Sequence, residues 1–191
     1  MSEKPDLLLF GEWSSEGIEI KDPGLEKYIS LRGTYVPLSC GRHERRRFRK
    51  SNVHIIERLA NRLMSPGTNT GKKYKILKSV YLALKIIEKR TDGNPLQVIV
   101  DAIVNAAPRE ETTRISYGGI VYHSAVDAAP QRRVDISLRL IAEAIRRQSF
   151  NNLQTMSEIL ADELIATAQN NARSYAIRRK QDIERVALSA R

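Results

Sequence analysis

The chain has one cysteine, three histidines and one tryptophan in 191 residues. A lone Cys40 excludes an intramolecular disulfide and fits a reducing compartment. His43, His54 and His123 stand in no His-Glu-x-x-His or comparable metal spacing. Cys40 and His43, three apart, offer two ligands where structural zinc takes four, so no metal is expected. Aromatic residues make up only 6% of the chain, which argues against a platform that stacks successive bases of a single strand. No apolar run approaches the roughly 20 residues that span a bilayer. The opening residues are acidic, and apolar residues 7–10 are too few for a signal-peptide core. The cytosol is the expected compartment.

Catalytic constellations are equally thin. Cys40 has no orienting group that would make it a nucleophile beside a histidine. Gly67-Thr68-Asn69-Thr70-Gly71-Lys72-Lys73 looks like a phosphate loop, but three residues separate its glycines where four are needed. Lys73 also stands where Ser or Thr would bind magnesium. The acid pairs Glu110-Glu111 and Asp162-Glu163 read as strand or helix flanks. Neither an enzyme nor a cofactor is expected.

What the chain has is positive charge. Its formal net charge is +10, and the sequence pI is near 9.9. Residues 1–30 hold seven acids against three bases, so the remainder is more basic than the total implies. Residues 41–50 concentrate Arg42, Arg45, Arg46, Arg47, Arg49 and Lys50 against Glu44 alone. Such a run repels itself in water, and a phosphate backbone relieves that repulsion by releasing counterions. Further clusters are Lys72-Lys73-x-Lys75, Arg132-Arg133, Arg146-Arg147 and Arg178-Arg179-Lys180. Each alone reads as a solvated helix end; together they favour an RNA recognised by backbone and shape. A protein making about 6–10 phosphate contacts loses about 10³–10⁵ in affinity between low and moderate salt.

The expected architecture is mainly α: about six helices around one core, with an inserted, protruding β-hairpin and an irregular N-terminal extension. Residues 1–40 form the extension, punctuated by glycine and proline, with room for a short strand or two. Residues 41–191 form the helical domain, which includes the basic run 41–50 and the hairpin 111–127. Ser51 is the expected cap of a helix carrying Val53, Ile56, Ala60 and Leu63, stopped by Met64-Ser65-Pro66-Gly67. Lys72-Lys73 open the next, with Tyr74, Leu77, Tyr81, Leu84 and Ile87 on its apolar face. Asn94-Pro95 cap and start a third. Then the period changes to β-branched and aromatic runs flanking Gly118-Gly119, a type I′ hairpin signal that sets Ile115 opposite Tyr122 and Arg114 opposite His123. Two strands alone are marginal in water, so the ribbon must lean on the body or on a partner. After Pro130 come a stripe of Val134, Leu138, Ile141 and Ile145, then one of Met156, Leu160 and Leu164 capped by Asn151 or Asn152. A last segment, residues 174–191, carries Tyr175, Ile183 and Val186.

Several runs resemble the small-subunit ribosomal protein seven family in its archaeal and eukaryotic branch. They include Leu9-Phe10-Gly11-Glu12-Trp13, Arg46-Arg47-Phe48-Arg49-Lys50, Gly71-Lys72-Lys73, Asn94-Pro95-Leu96-Gln97-Val98 and Pro108-Arg109-Glu110. Others are the ribbon 117–122, Arg132-Arg133-Val134, Leu160-Ala161-Asp162-Glu163-Leu164 and Ser174-Tyr175-Ala176-Ile177. The resemblance, nearly end to end, implies a helical body with a ribbon after the third main helix. It also implies binding to the 3′ domain of small-subunit rRNA, nucleation of head assembly, and a cytoplasmic place in the small ribosomal subunit. The implied rRNA contacts are Arg42, Arg45, Arg46, Arg47, Arg49, Lys50, Lys72, Lys73, Lys75, Arg109, Arg132, Arg133, Arg146, Arg147, Arg178, Arg179 and Lys180. The implied tRNA- and mRNA-proximal residues, at the exit site, are Arg114, Tyr117, Gly118, Gly119, Tyr122 and His123. Neighbouring ribosomal proteins are implied partners; a membrane and self-association into a homo-oligomer are not.

This sequence departs from the family pattern in two places. The ribbon tip, Ile115-Ser116-Tyr117-Gly118-Gly119, is less basic, which favours Tyr117 stacking or steric gating over strong electrostatic contact. The acidic first thirty residues favour docking on a basic protein surface over dense RNA contact. A free-standing nucleic-acid-binding regulator and an RNA-acting enzyme remain the competing classes, the latter wanting a carboxylate or histidine constellation.

Overall fold

In the computed structural model, residues 7–64, 67 and 69–191 are described; of the expected helix stop Met64-Ser65-Pro66-Gly67, Met64 caps the helix that ends at Leu63, and Ser65 and Pro66 lie outside the described residues. Among the described residues the fold is mainly α with one inserted hairpin, as the periodicity predicts. A short first helix, α1 (Pro23–Glu26), is capped by Asp22, whose carboxylate accepts from the Gly24 backbone N–H at 3.0 Å. Two 3₁₀ turns, Arg42–Arg45 and Arg49–Asn52, carry the basic run. Then come α2 (Ile55–Leu63), α3 (Lys73–Thr91) and α4 (Pro95–Ala106). The ribbon β1 (Glu110–Tyr117) and β2 (Ile120–Asp127) follows, then α5 (Pro130–Ser149), α6 (Met156–Ala168) and α7 (Tyr175–Ser189).

The middle of the body is α4, which is apolar nearly all round and packs against α3, α5, α6 and α7. A helix without a polar face can only be a buried one. Asn94 caps it through Oδ1, which accepts from Leu96 N at 3.0 Å, and Pro95 occupies the first turn. Val134, Leu138, Ile141 and Ile145 of α5 are all buried. The Gly118-Gly119 turn has positive φ at both residues, and the ribbon pairs Ile115 with Tyr122 and Arg114 with His123, as the turn chemistry requires.

Three expectations are corrected. His54, not Ser51, caps α2: its Nδ1 accepts from Ile56 N at 3.2 Å, while Ser51 lies in a 3₁₀ turn. Thr155, not Asn151 or Asn152, caps α6, in a reciprocal box with Glu158. Tyr74 does not share the apolar face of α3 and is largely exposed, because Ile76, Val80 and Ala83 complete that face instead.

Residues 7–40 are mostly irregular but do more than tether. Leu9, Trp13, Leu25 and Ile29 are buried in the same hydrophobic cluster as the helices. Ser30 forms a parallel bridge with His54, and Leu9 an antiparallel one with Trp13. Glu12 accepts from Tyr81 Oη at 2.8 Å and pairs with Lys85 at 3.0 Å. Part of the acidic charge of this segment therefore meets cations of the chain itself. No helix among the described residues is long and apolar enough to cross a membrane.

Candidate nucleic-acid interface

Residues 40–52 are short of hydrophobic anchors, so polar contacts at both ends must hold them. At the N-terminal end, Glu57 of α2 is buried and accepts from Ser39 N at 2.9 Å and Ser39 Oγ at 2.8 Å, and it pairs with Lys73. Burial pushes the Glu57 carboxyl up, but the Lys73 and Ser39 hydrogen bonds outweigh it and hold it below the usual carboxylate range. At the C-terminal end, Lys50 pairs with Asp135 of α5, whose other oxygen accepts from Arg58 Nη2 at 3.0 Å. Burial opposes ionisation of Asp135 too, and the two cations again prevail and depress its pKa.

Between these anchors Arg42, Arg45, Arg46, Arg47 and Arg49 are exposed. None of them meets an acid among the described residues, where ion pairs engage other cations. Fixing both ends while leaving the guanidiniums to solvent presents a dense cationic ridge. Exposed pairs contribute little to stability, and these arginines have not even those.

The other predicted residues divide. Lys72 and Lys75 are exposed at the start of α3, whereas Lys73 turns inward to Glu57. Arg132 is exposed but clamped by Glu111, with Nη2 to Oε2 at 2.8 Å. Arg133, its neighbour, is mostly buried: it donates to Asp22 Oδ2 at 2.8 Å and to the Pro108 carbonyl at 3.2 Å. Arg133 thus ties the N-terminal segment and the end of α4 to α5. Arg109, Arg146, Arg147, Arg178 and Arg179 are exposed, and Lys180 is half-buried. Arg147 pairs with Glu143 at 2.8 Å and lies 4.9 Å from the centre of the Tyr175 ring. Arg109, Arg133 and Lys180 share the rim of a cleft of about 470 Å³ with Lys21 and Asp22.

Two cations escaped the sequence reading. Arg62 of α2 and Arg139 of α5 are exposed and line a cleft of about 510 Å³ with Arg47, Lys50 and Arg132. Helical spacing is the signal that could have found them: Arg62 follows Arg58 by one turn, and Arg139 follows Arg132 by two.

The ribbon stands apart from this charge. Ile115, Tyr117, Ile120, Val121 and Tyr122 are exposed. Its base is held: Ala125 N donates to Ala190 O, at the end of α7, at 3.3 Å, Glu111 pairs with Arg132 of α5, and Arg109 N, just before β1, donates to Glu184 Oε1 of α7 at 3.0 Å. Among the described residues, no group of three or more His, Cys, Asp or Glu side chains is placed to hold a metal ion.

The fold and this surface define a class: a helical protein with one inserted ribbon and an anchored cationic ridge. The family model described as Ribosomal protein S7p/S5e matches residues 25–191. The chain is 50% identical over 188 residues to the small ribosomal subunit protein uS7 of Archaeoglobus fulgidus, covering 98% of this chain and 97% of that one. It is 48% identical over 187 residues to the protein of the same name from Methanococcus maripaludis, covering 97% and 100%. The chain belongs to the ribosomal protein S7p/S5e family.

Proposed function

We propose that this chain is a non-catalytic, cytoplasmic component of the small ribosomal subunit. It binds the 3′ domain of the small-subunit rRNA, nucleates assembly of the head beside neighbouring ribosomal proteins, and sets its hairpin near the exit-site tRNA and mRNA. The observation that carries this reading is the cationic ridge 42–49, pinned at one end through Ser39 to the buried Glu57 and at the other through Lys50 to the partly buried Asp135, while its arginines lack acid partners among the described residues. Ordering cations before RNA arrives lowers the entropy cost of binding.

The phosphate contacts in this reading are Arg42, Arg45, Arg46, Arg47, Arg49, Lys72, Lys75, Arg109, Arg132, Arg146, Arg147, Arg178, Arg179 and Lys180. Lys50, Lys73 and Arg133 are partly buried against Asp135, Glu57 and Asp22 and position these contacts, whereas Arg132, Arg147 and Arg179 are exposed and turn from Glu111, Glu143 and Asp182 to phosphate. The ribbon works by shape. Its exposed tip is apolar and aromatic around Tyr117, so it presents a steric wall and a stacking face rather than charge.

The test is binding of the purified protein to a 3′-domain rRNA transcript and to an unrelated folded RNA at several salt concentrations. Selective binding that persists at physiological salt is the expected result. Equal, steeply salt-sensitive binding to both would contradict the reading and favour a general polycation.

A further inference from the structure

The cleft between the basic segment, α2 and the start of α5 combines three features, two of which phosphate binding alone does not explain. Its volume of about 510 Å³ lies within the range of about 300–1,000 Å³ usual for small-molecule sites. The first feature is charge: Arg47, Arg62 and Arg139 reach it from the basic segment, α2 and α5 and meet no acid among the described residues, the cleft's own Asp135 being paired with Lys50 and Arg58. The second is Phe48, which lines the cleft and is 70% exposed. Its backbone is left-handed, with φ of 61°, a conformation that is costly for a bulky residue and that collects at functional positions. An exposed phenylalanine held there contributes nothing to the core. The Arg47 guanidinium lies 5.7 Å from its ring centre, so a flat face and a cation stand side by side.

The third feature is Gln131, in the first turn of α5. It lines the same cleft and is 7% exposed, yet neither amide atom has a hydrogen-bond partner among the described residues. Folding leaves a buried amide unsatisfied only at a cost in stability, and such a group calls for an explanation. A carboxamide presents a donor and an acceptor side by side, the pattern that pairs with the edge of a nucleobase. Gln131 lines the cleft, and a rotamer change is what would bring its buried amide to a ligand there.

We infer that this cleft takes one unstacked nucleotide of the bound RNA. Its base lies on the Phe48 ring, its edge meets the Gln131 amide, and the flanking phosphates lie on Arg62 and Arg139. The inference rests on the RNA-binding reading above and adds to it a site of base recognition within a surface otherwise made for backbone. An acidic peptide would satisfy the arginines but leave the ring and the amide without a purpose. Single-stranded, splayed bases stacked on aromatic rings are the usual means of sequence-specific RNA recognition.

The test uses the full-length chain and the 3′-domain transcript, with Phe48→Leu, Phe48→Tyr and Gln131→Leu. Phe48→Leu is expected to weaken binding about 5- to 150-fold, the equivalent of one stacking contact of about 1–3 kcal/mol. The dependence of affinity on salt stays as in the wild type, because no phosphate contact is lost, and Phe48→Tyr restores binding. Gln131→Leu is expected to weaken RNA binding while the melting temperature holds or rises, since the unsatisfied amide is gone. A purely structural glutamine would give the opposite pair of results. Wild-type affinity in both Phe48→Leu and Gln131→Leu would overturn the inference and leave the cleft to an acidic partner segment. Failure of the wild type to prefer this transcript would overturn the underlying reading instead, and that outcome needs no variant to be seen.

Discussion

Arg58 of α2 donates from Nη2 to Asp135 Oδ1 of α5 at 3.0 Å, and its Nη1 reaches the Tyr28 carbonyl at 2.7 Å. With 6% of the residue exposed, this guanidinium is a buried charge whose one acidic partner among the described residues is Asp135. The same carboxylate pins Lys50, so one residue joins the interior of the body to the end of the cationic ridge.

Asp135→Ala leaves Arg58 uncompensated and is expected to cost about 3–5 kcal/mol, as removal of one partner of a buried ion pair does. Lys50→Met costs far less, because that ammonium is half-exposed and can otherwise be solvated. Urea unfolding of both variants measures the difference; equal losses would show that Arg58 does not depend on Asp135.

His54 is buried and uses its ring nitrogen as a helix cap, and burial lowers its pKa to about 4, with Glu57 opposing the shift weakly. Its unfolded value lies near 6.5. The unfolded chain therefore binds this proton first, and stability falls as pH drops from 6.5 toward 4, by about 3 kcal/mol from this group alone. Below that window Glu57 and Asp135, both with depressed pKa values, add their own loss as they protonate. His54→Asn keeps an acceptor for Ile56 N and is expected to flatten the profile between pH 4 and 6.5. A profile unchanged by that substitution would remove His54 as the cause.

Deleting residues 116–121 removes the exposed tip of the ribbon and leaves in place the Ala125 hydrogen bond to Ala190 at the end of α7. The body is expected to unfold within about 0.5 kcal/mol of the wild type. Leu59→Ala, in the core, costs about 2–5 kcal/mol. A deletion as costly as the core variant would make the ribbon structural.

Glu163 of α6 is buried and accepts from Ser174 Oγ at 2.8 Å and from Ala176 N at 3.1 Å, fixing the start of α7. Glu163→Ala strips an acceptor from buried donors, each worth about 1–3 kcal/mol. Since α7 holds the base of the ribbon, hydrogen exchange at Thr112 and Ala125 is expected to accelerate together with that of α7. Acceleration confined to α7 would show the ribbon standing without it.

The parts of this fold that could be read in advance are those governed by local chemistry. Gly118-Gly119 specifies its own turn and register, and Asn94-Pro95 starts α4 whatever surrounds it. Caps that depend on burial were less legible: an imidazole accepts as His54 does only where the interior keeps it neutral. Thr155 was legible, since Glu158 follows at the capping-box spacing, but Asn151 and Asn152 compete with it as caps. The core role of Leu9, Trp13, Leu25 and Ile29 leaves no periodic trace, because an irregular segment has no period. Adjacent arginines also mislead. Neighbours on a helix point about 100° apart, so Arg132 faces the solvent while Arg133 faces Asp22.

The central claim is that the anchored arginines hold RNA phosphates. The most direct test is the slope of log affinity against log salt for the wild type and for a chain with Arg45, Arg46 and Arg47 all changed to Ala. These three are exposed and meet no acid among the described residues, so the melting temperature should hold. Affinity for the 3′-domain transcript should fall and the slope become shallower by about 2–3, at roughly 0.7–0.9 for each phosphate released. An unchanged slope with intact folding would contradict the account, because the ridge would then be bare of phosphate.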